Sequence, residues 1–232
     1  MTPASHRSSD AADVVVACTL SGRRTSDAIE IVRADDDRTG VVLLDVRAAR
    51  DQESLRARLA TVAHASLVAY EPMHVLVASL RKVVCEAVAA SVGVIALRVS
   101  ALDARVELLN AGMPPVVCVL PDGHLLDFPS LSSDVGPRVH KAHPYELIPL
   151  TLGSTWIACS DGATQGSLED AADLWTALGL PESVGDLARA GREQLSARLG
   201  ATLGPAPLSE DASLVVIPTR QNARSASGIV GA

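Results

Sequence analysis

Acidic residues recur in this sequence where an apolar run begins or ends. Asp27 precedes the run 28–33, Asp45 closes the run 41–45, Asp161 follows Trp156-Ile157-Ala158-Cys159, and Glu210-Asp211 precede Leu214-Val215-Val216-Ile217. A carboxylate at a strand end is fixed by its sheet yet open to solvent, which suits a hard, oxygen-preferring cation such as Mg2+ or Mn2+. Ser160-Asp161-Gly162 alone reads equally well as a turn. Its recurrence at matching places is what points to metal. Four carboxylates brought together by a sheet meet the requirement of a two-cation site, with metals about 4 Å apart sharing a water. That water becomes hydroxide-like near neutral pH while the cations draw charge from a phosphoryl oxygen, so hydrolysis of a phosphate monoester uses both effects.

The elements that must position these residues follow from periodicity. Runs at 14–20, 28–33 and 41–45 read as three strands opening a meander, the first apolar throughout as in a strand covered on both faces. From 52 to 70, Leu55, Leu59, Val62, Ser66 and Leu67 fall on one helical stripe. After Pro72, Val75, Leu76, Leu80, Val83, Val84 and Ala87 repeat the pattern, giving an antiparallel helix pair able to cover one face of a sheet. Strands resume at 92–99, 105–110 and 115–120, and Asp122-Gly123 supplies a hairpin turn. Residues 127–149 read as loop with an edge strand near 145–148. The 155–159 strand, helices at 171–178 and 184–199, and a last strand at 212–218 complete the domain, 13–218. The polar tails 1–12 and 219–232 are expected to be disordered.

The chain of 232 residues is long enough for one well-buried core, and with 48% hydrophobic but only 2% aromatic residues that core must be aliphatic. A net charge of −7 without a basic stripe argues against nucleic acid. No apolar run reaches membrane-spanning length, so no membrane partner and a cytoplasmic location are expected. Cys18, Cys85, Cys118 and Cys159 lack ligand spacing and read as buried free thiols of a reducing cytosol. His64 and His74 read as surface or satisfied-core residues. His140, His143 and Tyr145, in the irregular stretch, are available to touch a partner.

Asn110-Ala-Gly-Met-Pro-Pro115 followed by Asp122-Gly123, then Ser160-Asp161-Gly162, and finally Glu210-Asp211-Ala212-Ser213-Leu214-Val215-Val216 carry a resemblance in order and spacing. They are similar to the NAGHPP, DG, SDG and DDxTLVV motifs of the SpoIIE/RsbU/RsbX branch of the PPM-type metal-dependent serine/threonine phosphatases. The resemblance covers about 13–218. It implies an α+β fold, a four-layer α-β-β-α sandwich of two mostly antiparallel sheets flanked by helix pairs. It further implies two Mn2+ or Mg2+ held by Asp27, Asp45, Asp161 and Glu210, with Asp211 beside the last and the Val46 carbonyl next to Asp45. No catalytic side chain is implied beyond the metal-bound water. The implied substrate is a phosphorylated regulatory protein, typically a STAS-domain anti-sigma-factor antagonist in partner-switching control of transcription. Without a further regulatory domain the chain is expected to be a stand-alone module, closer to RsbX than to the larger sensors.

The departures from the family pattern bear on activity. The DVSGHG turn reads Asp45-Val46-Arg47-Ala48-Ala49-Arg50 and contains no glycine. The GGD before the second strand reads Thr25-Ser26-Asp27, or in another register Ser21-Gly22-Arg23. Glu210 stands for an aspartate and Met113 for a histidine. Two functions therefore stay open: an active phosphatase, and a pseudophosphatase that binds the same partner without turnover. Arg47 and Arg50 divide them, because a guanidinium there can contact substrate phosphate, stand in the cation site or be a solvated helix-start residue. Arg23 and Arg24 share that ambiguity, and Gly162 is a further candidate for substrate contact.

Overall fold

The computed structural model describes residues 15–34, 37–137, 143–164 and 170–219. Two five-stranded sheets face each other. One has the order β1 (Val16–Leu20), β10 (Ala212–Pro218), β9 (Thr155–Cys159), β6 (Val116–Val119), β7 (Leu125–Phe128). The other runs β2 (Asp27–Arg33), β3 (Arg38–Arg47), β4 (Ser91–Ser100), β5 (Arg105–Ala111), β8 (Glu146–Pro149), and every pairing is antiparallel. Helices α1 (Gln52–Val68) and α2 (Met73–Cys85) cover the second sheet, and α3 (Ala171–Ala177), α4 (Val184–Arg189) and α5 (Arg192–Leu203) cover the first.

The period of two in the strands builds three apolar layers. In β3, Val42, Leu44 and Val46 pack under Leu59, Leu76 and Leu80 of the helices, while Val41 and Leu43 meet Val116, Trp156 and Val215 across the sandwich. Leu174, Leu187, Leu195 and Leu199 close the other outer layer against Ile157 and Val216. The four-layer α-β-β-α sandwich expected from the motifs is the fold observed.

Several details differ from the periodicity. The first strand does not open a meander. It crosses to the other sheet and pairs with β10, while the meander runs β2-β3-β4-β5. Residues 22–24 make the crossing alongside 208–211, with Arg23 N donating to Leu208 O and Arg24 N to Ser209 O. The single helix read over 184–199 is two, because Ala190 takes an extended conformation and Gly191 starts α5, its N–H bound by Gln194 Oε1 at 3.0 Å. Leu125–Phe128 forms a hairpin strand with β6 where loop was expected from 127 onward. Cys18, Cys118 and Cys159 are buried, but Cys85 at the end of α2 is exposed. His74 is exposed and His64 pairs with Glu30 at 3.1 Å. Thr219 is tied to Ser154 and Thr151, so the ordered domain includes it. The tail residues 1–14 and 220–232, and His140, lie outside the described residues. Among the described residues no helix is long and apolar enough to cross a membrane.

Candidate metal centre

The alternation that sends Leu43 and Ile29 into the space between the sheets also sends Asp45 and Asp27 there, two residues further along. They are register partners, Asp27 opening β2 and Asp45 near the end of β3. On the facing sheet β9 ends at Cys159 opposite Leu214 near the start of β10, so Asp161 and residues 210–211 arrive at the same end of the sandwich. One carboxylate oxygen from each of Asp45, Asp161 and Glu210 lies within 4.8 Å of the others. The convergence expected of strand-end carboxylates is produced by the antiparallel pairing and the stacking of the sheets.

Each element reaches this point for a local reason. After β3 the chain turns at 48–51 without a glycine, and Asp51 takes the left-handed conformation, φ 51°, just before α1. The residues after β9 form a 3-10 turn, Asp161–Thr164, rather than an open Ser-Asp-Gly loop. Asn110 is buried and donates through Nδ2 to Pro114 O at 2.8 Å, closing the Asn-Ala-Gly-Met-Pro turn, where Gly112 has φ +68°. That turn seats Asp134 at the rim, its carboxylate packed against Gly112.

The predicted ligands divide into three groups. Asp45, Asp161 and Glu210 converge as described. Asp27 lies behind them, buried, with Oδ1 accepting from Ser26 Oγ at 3.1 Å and Ser160 and Ser213 beside its carboxylate. Asp211 and Val46 are engaged in the backbone framework: Asp211 Oδ1 accepts from Gly22 N at 3.0 Å, and the Val46 carbonyl accepts from Gln52 Nε2 at 2.8 Å. Gly162 packs edge-on against the Asp211 carbonyl, which leaves no room for a side chain. Arg50 is exposed in the turn before α1. His143 is buried against Ser132 Oγ at 2.8 Å, away from the cluster, and Tyr145 is exposed.

Arg47 enters the cluster. Its Nη2 lies 2.7 Å from Asp45 Oδ2, off the line of a hydrogen bond, and donates to Asp161 Oδ2, while Nη1 donates to Asp134 Oδ2 at 3.0 Å. Asp134 and Gln52 have no signature in the sequence: each is an ordinary polar residue that matters only through what it touches.

A divalent cation fits the donor set. Asp45 Oδ1, Asp27 Oδ2 and Asp161 Oδ1 are buried carboxylate oxygens without a hydrogen-bond partner among the described residues. Carboxylate oxygens orphaned in this way are destabilising unless a cation meets them. Burial is the main cause that raises Asp45 to about 7, with Asp161 adding to it and Arg47 opposing it. Burial likewise raises Asp27 to about 6 against the lowering effect of its serine partners.

The sign of the resulting pH dependence is opposite to that of a salt-bridged aspartate. A buried carboxyl whose folded pKa is raised above 3.8 adds no penalty below pH 4 and its full penalty above the folded value. His143, lowered by burial, contributes with the other sign, so the aspartate must be isolated by difference. In EDTA, the melting temperature of Asp27→Asn relative to wild type is expected to rise between pH 4 and about 6 and to level off above. A flat difference across that range would show that Asp27 carries no charge penalty.

No protein-family model and no curated protein matches the sequence. The fold does match solved structures. The RsbU and RsbW domains of Rv1364c from Mycobacterium tuberculosis superpose with a TM-score of 0.70 at 16% identity, over 89% of this chain and 60% of that one. The PP2C phosphatase domain with a regulatory fragment of SpoIIE from Bacillus subtilis gives 0.67 at 12%, over 89% and 63%. RsbX in complex with magnesium gives 0.63 at 14%, over 88% and 94%. The chain thus spans under two thirds of the first two structures and nearly all of the third. Two antiparallel sheets, helices on both outer faces and carboxylates gathered at one end of the sandwich give this chain the fold of the PPM-type phosphatases.

Proposed function

We propose that the chain is a metal-dependent phosphatase that removes phosphate from serine or threonine of a regulatory protein partner, of the STAS-domain antagonist kind that the resembling family acts on. The observation that carries this is the convergence of Asp45, Asp161 and Glu210 within 4.8 Å, with buried carboxylate oxygens left unpaired. Asp45, Asp161 and Glu210 would hold Mn2+ or Mg2+, with Asp27 behind them. The cation would supply Lewis-acid polarisation of a phosphoryl oxygen and acidification of water. The chain's own part is positional. Ser26 holds Asp27, and Gly22 N fixes Asp211 so that the preceding Glu210 faces Asp45. The joining of RsbU and RsbW domains in the Mycobacterium tuberculosis structure supports a regulatory protein as partner.

The test is Mn2+ binding by calorimetry with p-nitrophenyl phosphate turnover in the same samples, on wild type and Asp161→Asn. Metal-dependent turnover that falls at least tenfold in the variant is expected, in the range for removing one preorganised charge from a transition state. Folded wild type that binds no Mn2+ and turns nothing over would sink the enzyme. One observation favours a second function, capture of the same partner without turnover: the Arg47 guanidinium already lies against Asp45 and Asp161.

A further inference from the structure

Among the described residues Arg47 is the cationic side chain inside the acidic centre, and its contacts are specific. A single nitrogen, Nη2, takes Asp45 Oδ2 and Asp161 Oδ2, two of the three carboxylates that converge. The other nitrogen, Nη1, is held at 3.0 Å by Asp134 Oδ2, which also accepts from Ser91 Oγ at 3.0 Å. The anchoring carboxylate is itself pressed against Gly112 in the Asn110–Pro114 turn. The guanidinium thus spans three carboxylates on three segments, its rigid planar fork placing separate nitrogens toward the Asp45–Asp161 pair and toward Asp134. A hard divalent cation shared by two carboxylates sits about 2.0–2.6 Å from an oxygen of each. Between Asp45 and Asp161 that volume is filled by Nη2.

We infer that Arg47 is a built-in competitor for the divalent cation at Asp45 and Asp161. This rests on the metal-dependent function proposed above and adds a regulatory property to its site. The centre has two mutually exclusive forms, one closed by the guanidinium and one loaded with metal. Apparent metal affinity scales with the open fraction, so a centre closed 99% of the time binds about a hundredfold more weakly than its intrinsic affinity. The protein would then answer to a rise in available cation rather than be saturated at all times. The half-exposed Arg47 side chain has a path outward, its side chain being 43% exposed while that of Asp45 is wholly buried.

Two measurements on the full chain test this. In calorimetry, Arg47→Ala is expected to bind Mn2+ at least tenfold more tightly than wild type. Loss of a nearby positive charge would also tighten binding, so the second measurement follows the guanidinium itself. In nitrogen-15 spectra of arginine side chains, assigned with Arg47→Ala, the Arg47 signals are expected to be protected from solvent exchange without metal. That protection should disappear on Mg2+ addition with the same midpoint as Mg2+ binding. Equal Mn2+ affinities of wild type and variant, or Arg47 protection that persists at saturating Mg2+, would overturn the competition while leaving the metal site standing. Failure of both proteins to bind Mn2+ would overturn the metal-dependent function and this inference with it.

Discussion

Asp45→Asn is expected to raise the stability of the metal-free protein at pH 8 and to abolish its response to Mn2+. Asp45 is wholly buried, neither of its oxygens has an aligned hydrogen bond, and burial with the neighbouring Asp161 pushes it up to about 7. Each unit above the ordinary 3.8 corresponds to about 1.4 kcal/mol of penalty when the group is charged. A buried amide with unmet groups loses about 1–3 kcal/mol of its own, so the net gain is expected to be about 1–2 kcal/mol. Removing the partner of a buried ion is usually costly. Here the ion left behind, Arg47, is half exposed and keeps Asp161 and Asp134. The gain should shrink by about 1.4 kcal/mol for each pH unit below the folded value and be used up by about pH 5, as the folded carboxyl takes up its proton while the amide keeps its own cost. With Mn2+ at a hundred times its dissociation constant, wild type gains about 2.7 kcal/mol by mass action. The variant gains nothing, and the order of melting temperatures reverses. A variant that is less stable than wild type in EDTA at pH 8, or that still responds to Mn2+, would remove Asp45 from the centre of the site.

What makes Asp45 costly without metal is what the sequence displays most clearly. A carboxylate closing a run of Val and Leu has no reason to be there unless something meets it, and Asp27, Asp161 and Glu210 repeat the pattern. The four layers were legible through the resemblance carried by the 110–115, 160–162 and 210–216 motifs, whereas the helical stripe of 52–70 and the pattern after Pro72 by themselves required only a helix pair over one face of a sheet. Arg47 was visible as a departure, but its role was not. Its anchor, Asp134, lies 87 residues away, and only the Asn110–Pro114 turn brings that loop to the rim. The crossing of β1 to the far sheet was hidden for a similar reason. Neighbouring strands usually pair, whereas here hydrogen bonds between 22–24 and 208–211 tie the connection to the start of β10. The choice between Glu210 and Asp211 could not be made from two adjacent carboxylates. It depends on Gly22, whose N–H takes Asp211 and whose missing side chain lets Glu210's backbone approach.

A second close approach, at Gly162, gives the largest destabilisation expected from a single methyl group. Gly162 follows Asp161 in the 3-10 turn, and a Cβ at 162 would overlap the carbonyl oxygen of Asp211, with the carbonyl carbon at 2.8 Å. Both obstacles are backbone, so no side-chain rotation relieves the clash. Either the turn carrying Asp161 or the segment carrying Glu210 must move. Gly162→Ala is therefore expected to lose about 3 kcal/mol or more, at the upper end of overpacking in a filled core. It should also weaken Mn2+ binding more than tenfold, since Asp161 and Glu210 are pushed apart. A destabilisation alone would be unremarkable for a glycine substitution, so the comparison is with Gly191→Ala. Gly191 has φ −73° and no atom near its would-be Cβ, and alanine there should change stability by about 1 kcal/mol or less, the poorer N-cap being offset by the stiffer unfolded chain. Both variants would be measured by thermal unfolding and Mn2+ calorimetry. If Gly162→Ala folds with wild-type stability and wild-type Mn2+ affinity, then Asp161 and Glu210 do not depend on this contact for their approach. If it loses stability but keeps its affinity, the contact serves the fold and the two ligands find each other without it. Loss of both would identify the packing of one glycine against one carbonyl as what sets the distance between the carboxylates of the two sheets.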